Sequence, residues 1–190
     1  MHATTLVLLA LACVGLSPAH APQARDPDAE FGQMAVLLRL TEGSVVADVG
    51  AGDGSWTVRL AERVGPKGRV FGTDVRTPQV EGIRSIAKKR GLTNVTAIIG
   101  TQDDMGLPEG CCDAMLLRLV YHAFDNPERM RDSLRRAMRS QGLVLIVDFR
   151  PAPDQLTAEL KAIGFERLHF IETWQGQDGV YAALFRKALR

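Results

Sequence analysis

Residues 45–56 read VVADVGAGDGSW. A run of small and β-branched apolar residues ends in aspartate, and three glycines then follow at every second position. The run before Gly50 has the character of a strand buried on both faces. Glycine carries a large entropic cost and is kept where backbone turns sharply or a ligand must approach it closely. Gly50, Gly52 and Gly54 therefore mark a tight loop at the carboxyl end of a buried strand. Ser55 to Val64 then reads as a helix, with Trp56, Leu60 and Val64 on one face.

Outward from this stretch the periodicity keeps switching between strand and helix. Arg69 to Thr73, Val95 to Ile99, Asp113 to Leu119 and Leu143 to Asp148 are predicted strands. Between them, Thr77 and Pro78 open a helix that Gly91 ends, and Asn126-Pro127 opens another. A short helix is expected from Phe31 to Leu40, and one with Leu156, Leu160 and Ile163 inward, closed by Gly164. Two last strands, near 167–172 and 180–185, have no helix between them and should pair antiparallel. Apolar strands alternating with helices imply a parallel sheet covered on both faces, a doubly wound α/β fold. In such sheets ligands bind beyond the carboxyl ends of the strands, where the strand order reverses.

The 190 residues suggest one domain and a tail. The formal net charge of +1 offers no electrostatic argument for nucleic acid or an anionic membrane as partner. The first residues, MHATTLVLLALACVGLSPAHA, have an apolar core too short to span a bilayer and a small-x-small site at Ala19-His20-Ala21. Residues 1–21 are expected to be a signal peptide, residues 22–33 a flexible linker and residues 34–190 a single domain without a membrane span. The leader lacks Lys and Arg, so export to the periplasm and retention in the cytoplasm both stay open. Cys111 and Cys112 are adjacent and have no partner at metal-ligand spacing, so no metal site is expected; they read as a turn and a strand start.

The glycine loop is Gly-x-Gly-x-Gly. The dinucleotide fingerprint needs its third glycine at position 55, which is Ser55. Asp48 and Asp53 flank the loop, and two acids suit a cationic ligand better than a pyrophosphate. Asp74 ends the second strand, twenty residues after Gly54, where an acid can accept both hydroxyls of a ribose. Asp103 and Asp104 follow the third strand, within reach of a base. Together these residues suit an adenosine with a cationic, amino-acid-like tail.

Three segments carry a family resemblance. VVADVGAGDGSW resembles motif I of the class I S-adenosylmethionine-dependent methyltransferases, VFGTDV their second strand, and GTQDDMGLPEGCCDAMLLRLVYHAF their adenine-side loop and fourth strand. The similarity covers residues 34–150, and is nearest to small bacterial methyltransferases with a Tyr-His pair after strand four. It implies a Rossmann-like seven-stranded sheet, mostly parallel with an antiparallel last strand, and S-adenosyl-L-methionine as cofactor. It further implies Asp48, Gly50, Gly52 and Gly54 on the methionine side, Asp74 at the ribose and Asp103 at the adenine, with Thr101 competing for the last role.

Tyr121 and His122 follow strand four on the same edge. His122 is the expected proton acceptor for an attacking hydroxyl or amine, and Tyr121 would shape the pocket of a small-molecule acceptor. Three departures weigh on the substrate side. Ser140-Gln141-Gly142 replaces the family's Pro-Gly-Gly, Arg118 ends strand four, and little chain follows strand five before the last helix. A binding module that has lost turnover, or an NAD-dependent oxidoreductase, are the alternatives.

Overall fold

The computed structural model describes residues 26–189. The expected signal peptide and the start of the expected linker lie outside the described residues. Seven strands form one sheet: β1 (Val45–Val49), β2 (Arg69–Asp74), β3 (Val95–Ile99), β4 (Cys112–Arg118), β5 (Met138–Asp148), β6 (Phe165–Ile171) and β7 (Tyr181–Lys187). Their order is β3-β2-β1-β4-β5-β7-β6. β7 runs antiparallel to both its neighbours, and the other pairs are parallel. β1 lies between β2 and β4, so the order reverses at the strand that carries the glycine loop.

Side chains on a strand alternate between faces, and the sheet buries both. Val46, Val70, Ala114, Leu116, Leu145 and Val147 face the helices α1 (Pro27–Leu37) and α2 (Ser55–Val64). Ala47, Val49, Met115, Leu117, Val144 and Ile146 face α4 (Pro127–Ala137) and α5 (Pro153–Ala162). The remaining helix, α3 (Thr77–Lys89), buries Val80, Ile83 and Ala87. No helix among the described residues is long and apolar enough to cross a membrane.

Two local expectations need correction. The first helix starts at Pro27, not Phe31, and so covers residues read as linker. Asp26 caps it, accepting from the N–H groups of Asp28 and Ala29 at 2.9 and 3.3 Å, and Pro27 supplies the first helical position. What held this segment to the fold was invisible locally: Glu30 is buried and takes two hydrogen bonds from Arg118, at 2.8 and 3.2 Å, and one from Trp174 Nε1 at 2.9 Å. Arg118, unusual at the end of strand four, is the counter-ion of α1. Second, Cys112 does open β4, but the structure joins it to Cys111 by a disulfide. Adjacency at the turn into β4 brings the two sulfurs together.

Candidate functional site

The glycine loop sits at the strand-order reversal. Gly50, Gly52 and Gly54 all have positive φ, at 68°, 56° and 78°, where side chains with a Cβ are strained. They differ in what a Cβ would meet. At Gly50 it would overlap the Val120 side chain, and at Gly54 it would press on Ile83 of α3 at 3.0 Å. At Gly52 it would meet only the Gly50 carbonyl, at 4.0 Å. Gly50 and Gly54 are thus required by packing, whereas Gly52 faces open space.

Beside the loop lies a cavity of about 270 Å³, lined by Gly50, Asp74, Thr101, Asp104, Val120 and Phe124 among others. Asp74 is buried at the end of β2. Its Oδ2 accepts from the Gly52 N–H at 3.1 Å, and its Oδ1 from the Arg76 backbone and Nε at 3.0 and 3.2 Å. Desolvation alone would raise its pKa, but the hydrogen bonds from Arg76 and Gly52 outweigh it and hold the carboxyl below its usual value. An ionised acid therefore stands in the cavity wall, tied to the open glycine.

The other acids are placed differently. Asp48 shares the face of Val46 and points at α2, where Thr57 Oγ1 donates to it at 2.6 Å. It lies under the loop, outside the cavity lining, and burial pushes its carboxyl up to about 6 against the Thr57 hydrogen bond. Asp103 is not among the lining residues; its side chain is 43% exposed and 3.6 Å from Arg129 Nε. Asp104 faces α4 and the loop itself, accepting from Ser133 Oγ at 2.9 Å, the Gly106 N–H at 2.8 Å and Arg136. Thr101 Oγ1 accepts from the N–H groups of Asp103 and Asp104, at 3.2 and 3.0 Å, and so shapes the loop.

Tyr121 and His122 belong to a single helical turn, Tyr121–Ala123, directly after β4. Tyr121 is buried and donates its hydroxyl to Glu159 Oε2 at 2.7 Å. Burial first, and the Glu159 hydrogen bond second, raise its pKa above the ordinary tyrosine value, so it stays protonated and builds the wall. His122 is partly exposed. Its Nδ1 lies 2.8 Å from Oδ1 of Asp148, the fully buried last residue of β5. Asp148 also accepts from the N–H groups of His122 and Phe149, at 3.3 and 2.7 Å. Asp148 already accepts from two backbone N–H groups, and with Nδ1 donating to it as well, Nε2 would be left with the lone pair of the ring.

Sequence reasoning assigned no role to Asp148. The available signal was its place: an acid at the carboxyl end of a central strand, on the edge where ligands bind. Phe124, shared by the cavity above and a second one beside His122, carried no signal.

With this geometry in hand, comparison with known proteins is decisive for the family. The family described as a methyltransferase domain matches residues 40–183. The chain belongs to that family. Nocamycin O-methyltransferase of Saccharothrix syringae is 31% identical over 111 residues, 58% of this chain and 40% of that protein. Demethylmenaquinone methyltransferase of Geobacillus stearothermophilus is 24% identical over 133 residues, 70% of this chain and 53% of that one. The chain thus spans about half the length of these curated relatives, or less. Among solved structures, a SAM-dependent methyltransferase from Aquifex aeolicus superposes with a TM-score of 0.73 at 22% identity, covering 86% of this chain and 94% of that one. The [4+2]-cyclase SpnF superposes with 0.72 at 20% identity, covering 86% and 81%. These two likenesses concern the fold.

Proposed function

We propose that this chain transfers a methyl group from S-adenosylmethionine to an oxygen nucleophile on a small-molecule acceptor. One observation carries the reading. On the edge where the strand order reverses, an ionised acid that holds the N–H of the open Gly52 lines one cavity, and a histidine with a free Nε2 borders the next. The names of the relatives, an O-methyltransferase and a quinone methyltransferase, agree with a small acceptor.

The residues fit the cofactor. Asp74 would accept the ribose hydroxyls. The backbone at Gly52, where a Cβ finds open space, would lie along the methionine part. Thr101 lines the cavity and would lie beside the adenine, and Asp103, in the same loop, would reach the adenine amino group by releasing Arg129. Asp48 supports the loop from below. When bound, S-adenosylmethionine supplies a methyl group on a positively charged sulfur that is already activated. The protein's share is then alignment, with reacting atoms brought to about 3–3.5 Å, and removal of the acceptor's proton. His122 takes that proton at Nε2, while Asp148 fixes the ring and balances its charge once protonated.

The first test is calorimetric titration of the full chain with S-adenosylhomocysteine and, separately, NADH. Binding of the first and not the second is expected, and the reverse overturns the proposal. A second reading is a protein that binds the cofactor without transferring its methyl group. It is favoured by Ser140-Gln141-Gly142 in place of the Pro-Gly-Gly of the resembled family and by the short chain between β5 and α5. Cofactor binding with no methyl transfer to any small-molecule extract would support it.

A further inference from the structure

The second cavity, on the α4–α5 side, has a volume of about 440 Å³ and shares Phe124 as a common wall with the first. That size is within the range of small-ligand pockets. Its walls come from the turn after β4 and from the chain between β5 and the middle of α5, Arg150 to Glu159. Its chemistry is specific on three counts. It is lined by two aromatic rings, Phe124 and Tyr121, which pack at 5.4 Å between ring centroids; outside the lining, the half-exposed Phe149 packs on His122 at 4.3 Å. It presents one free base, His122 Nε2, because Nδ1 is committed to Asp148. It also carries one uncompensated charge. Glu159 is neutralised by Arg131 at 3.1 Å, and Asp148 faces His122, but Arg150 is exposed and has no ion pair among the described residues.

We propose that this cavity is the acceptor subsite and that it takes a hydroxyaromatic acid. The aromatic ring packs beside Phe124 and Tyr121, the hydroxyl meets His122 Nε2, and the carboxylate meets Arg150, whose planar fork suits it. This assignment rests on the methyl-transfer reading. A phenol is a poor nucleophile while protonated, which gives the fixed imidazole its purpose. The hydroxyl proton passes to Nε2. The oxygen forms its new bond to the methyl carbon as the carbon–sulfur bond breaks, and that electron pair stays on the sulfur. The products are a methyl ether, S-adenosylhomocysteine and an imidazolium that returns its proton to solvent.

The test uses the full chain saturated with S-adenosylhomocysteine, titrated calorimetrically with 3,4-dihydroxybenzoate and with catechol as the uncharged counterpart. The acid should bind at least about fivefold more tightly than catechol, in keeping with a charge-assisted contact. Arg150→Gln, at an exposed position, should bring the two within about twofold and leave S-adenosylhomocysteine affinity unchanged. Equal binding of acid and catechol by the wild type, an undiminished preference in Arg150→Gln, or binding of neither compound overturns the assignment. Failure of S-adenosylhomocysteine to bind overturns the methyl-transfer reading instead. The same two titrations without it then decide on the cavity alone.

Discussion

Asp48 and Asp148 are both buried aspartates in the last turn of central strands, β1 and β5, yet they stand on opposite faces of one sheet. Asp48 shares the parity of Val46; Thr57 donates to it, and this bond and the charge of Arg118 offset its burial only in part. Its pKa rises to about 6. Asp148 shares the parity of Val144 and Ile146, and meets an imidazole and two backbone N–H groups. The same residue type at equivalent ends of strands thus lies under a loop in one half and orients an imidazole in the other. The side on which a strand's last residue falls decides which. On the proposed function, the site has a cofactor half, around β1 and β2, and an acceptor half, around β4 and β5.

The sharpest way to break that division is at His122. His122→Ala should lower turnover by about 10²–10⁴-fold, the usual contribution of a general base. Affinity for S-adenosylhomocysteine should stay within about twofold. Asp148→Asn should reproduce part of the loss in kcat with the acceptor KM little changed, as expected of a residue that acts by positioning the ring. If either variant loses cofactor affinity by calorimetry while folded, the two halves are not separate.

Asp48 offers the next largest effect. Its folded pKa of about 6 lies above the ordinary 3.8, so within that window the folded state holds a proton that the unfolded chain has released. Stability should therefore fall as pH rises through the window. The total is about 3 kcal/mol, from about 1.4 kcal/mol per pKa unit. Urea midpoints measured from pH 4 to 7 should show this fall in the wild type relative to Asp48→Asn. Cofactor affinity should be equal in the two proteins. A constant difference in stability across the range would mean that Asp48 ionises freely, and a loss of affinity would return it to the methionine-side pocket.

Asp74→Ala should have the smallest effect and the most local. Hydrogen bonds to a charged group contribute about 1.5–3 kcal/mol, so S-adenosylhomocysteine should bind at least about tenfold more weakly, or 1.4 kcal/mol. Turnover at saturating cofactor should change little. Unchanged affinity in a folded variant would remove Asp74 from the cofactor half.

The cofactor half was the more legible in the sequence, because its parts are local. The glycine loop, the strand before it and the acid ending β2 are each set by a few neighbouring residues, and all three lie where periodicity places them. The strand count and the antiparallel pairing of the last two strands followed from the same alternation. Strand parity could also have turned Asp48 away from the cavity, since Val46 and Asp48 must share a face. The acceptor half was legible only at Tyr121-His122. The partner of His122 lies 26 residues away. Phe124 acquires meaning only as a wall between two cavities.

The amino-acid order by itself determined the alternation of strand and helix, the sharp loop at Gly50 to Gly54 and the residues available at the strand ends, because dihedral preference and hydrophobic period act over a few residues. Tertiary structure alone decided which polar groups meet. Glu30 finds Arg118 across 88 residues and Trp174 across 144, and His122 finds Asp148. A buried charge must be paired wherever the fold brings a counter-group to it, and that pairing depends on strand order and facing rather than on neighbours in the chain.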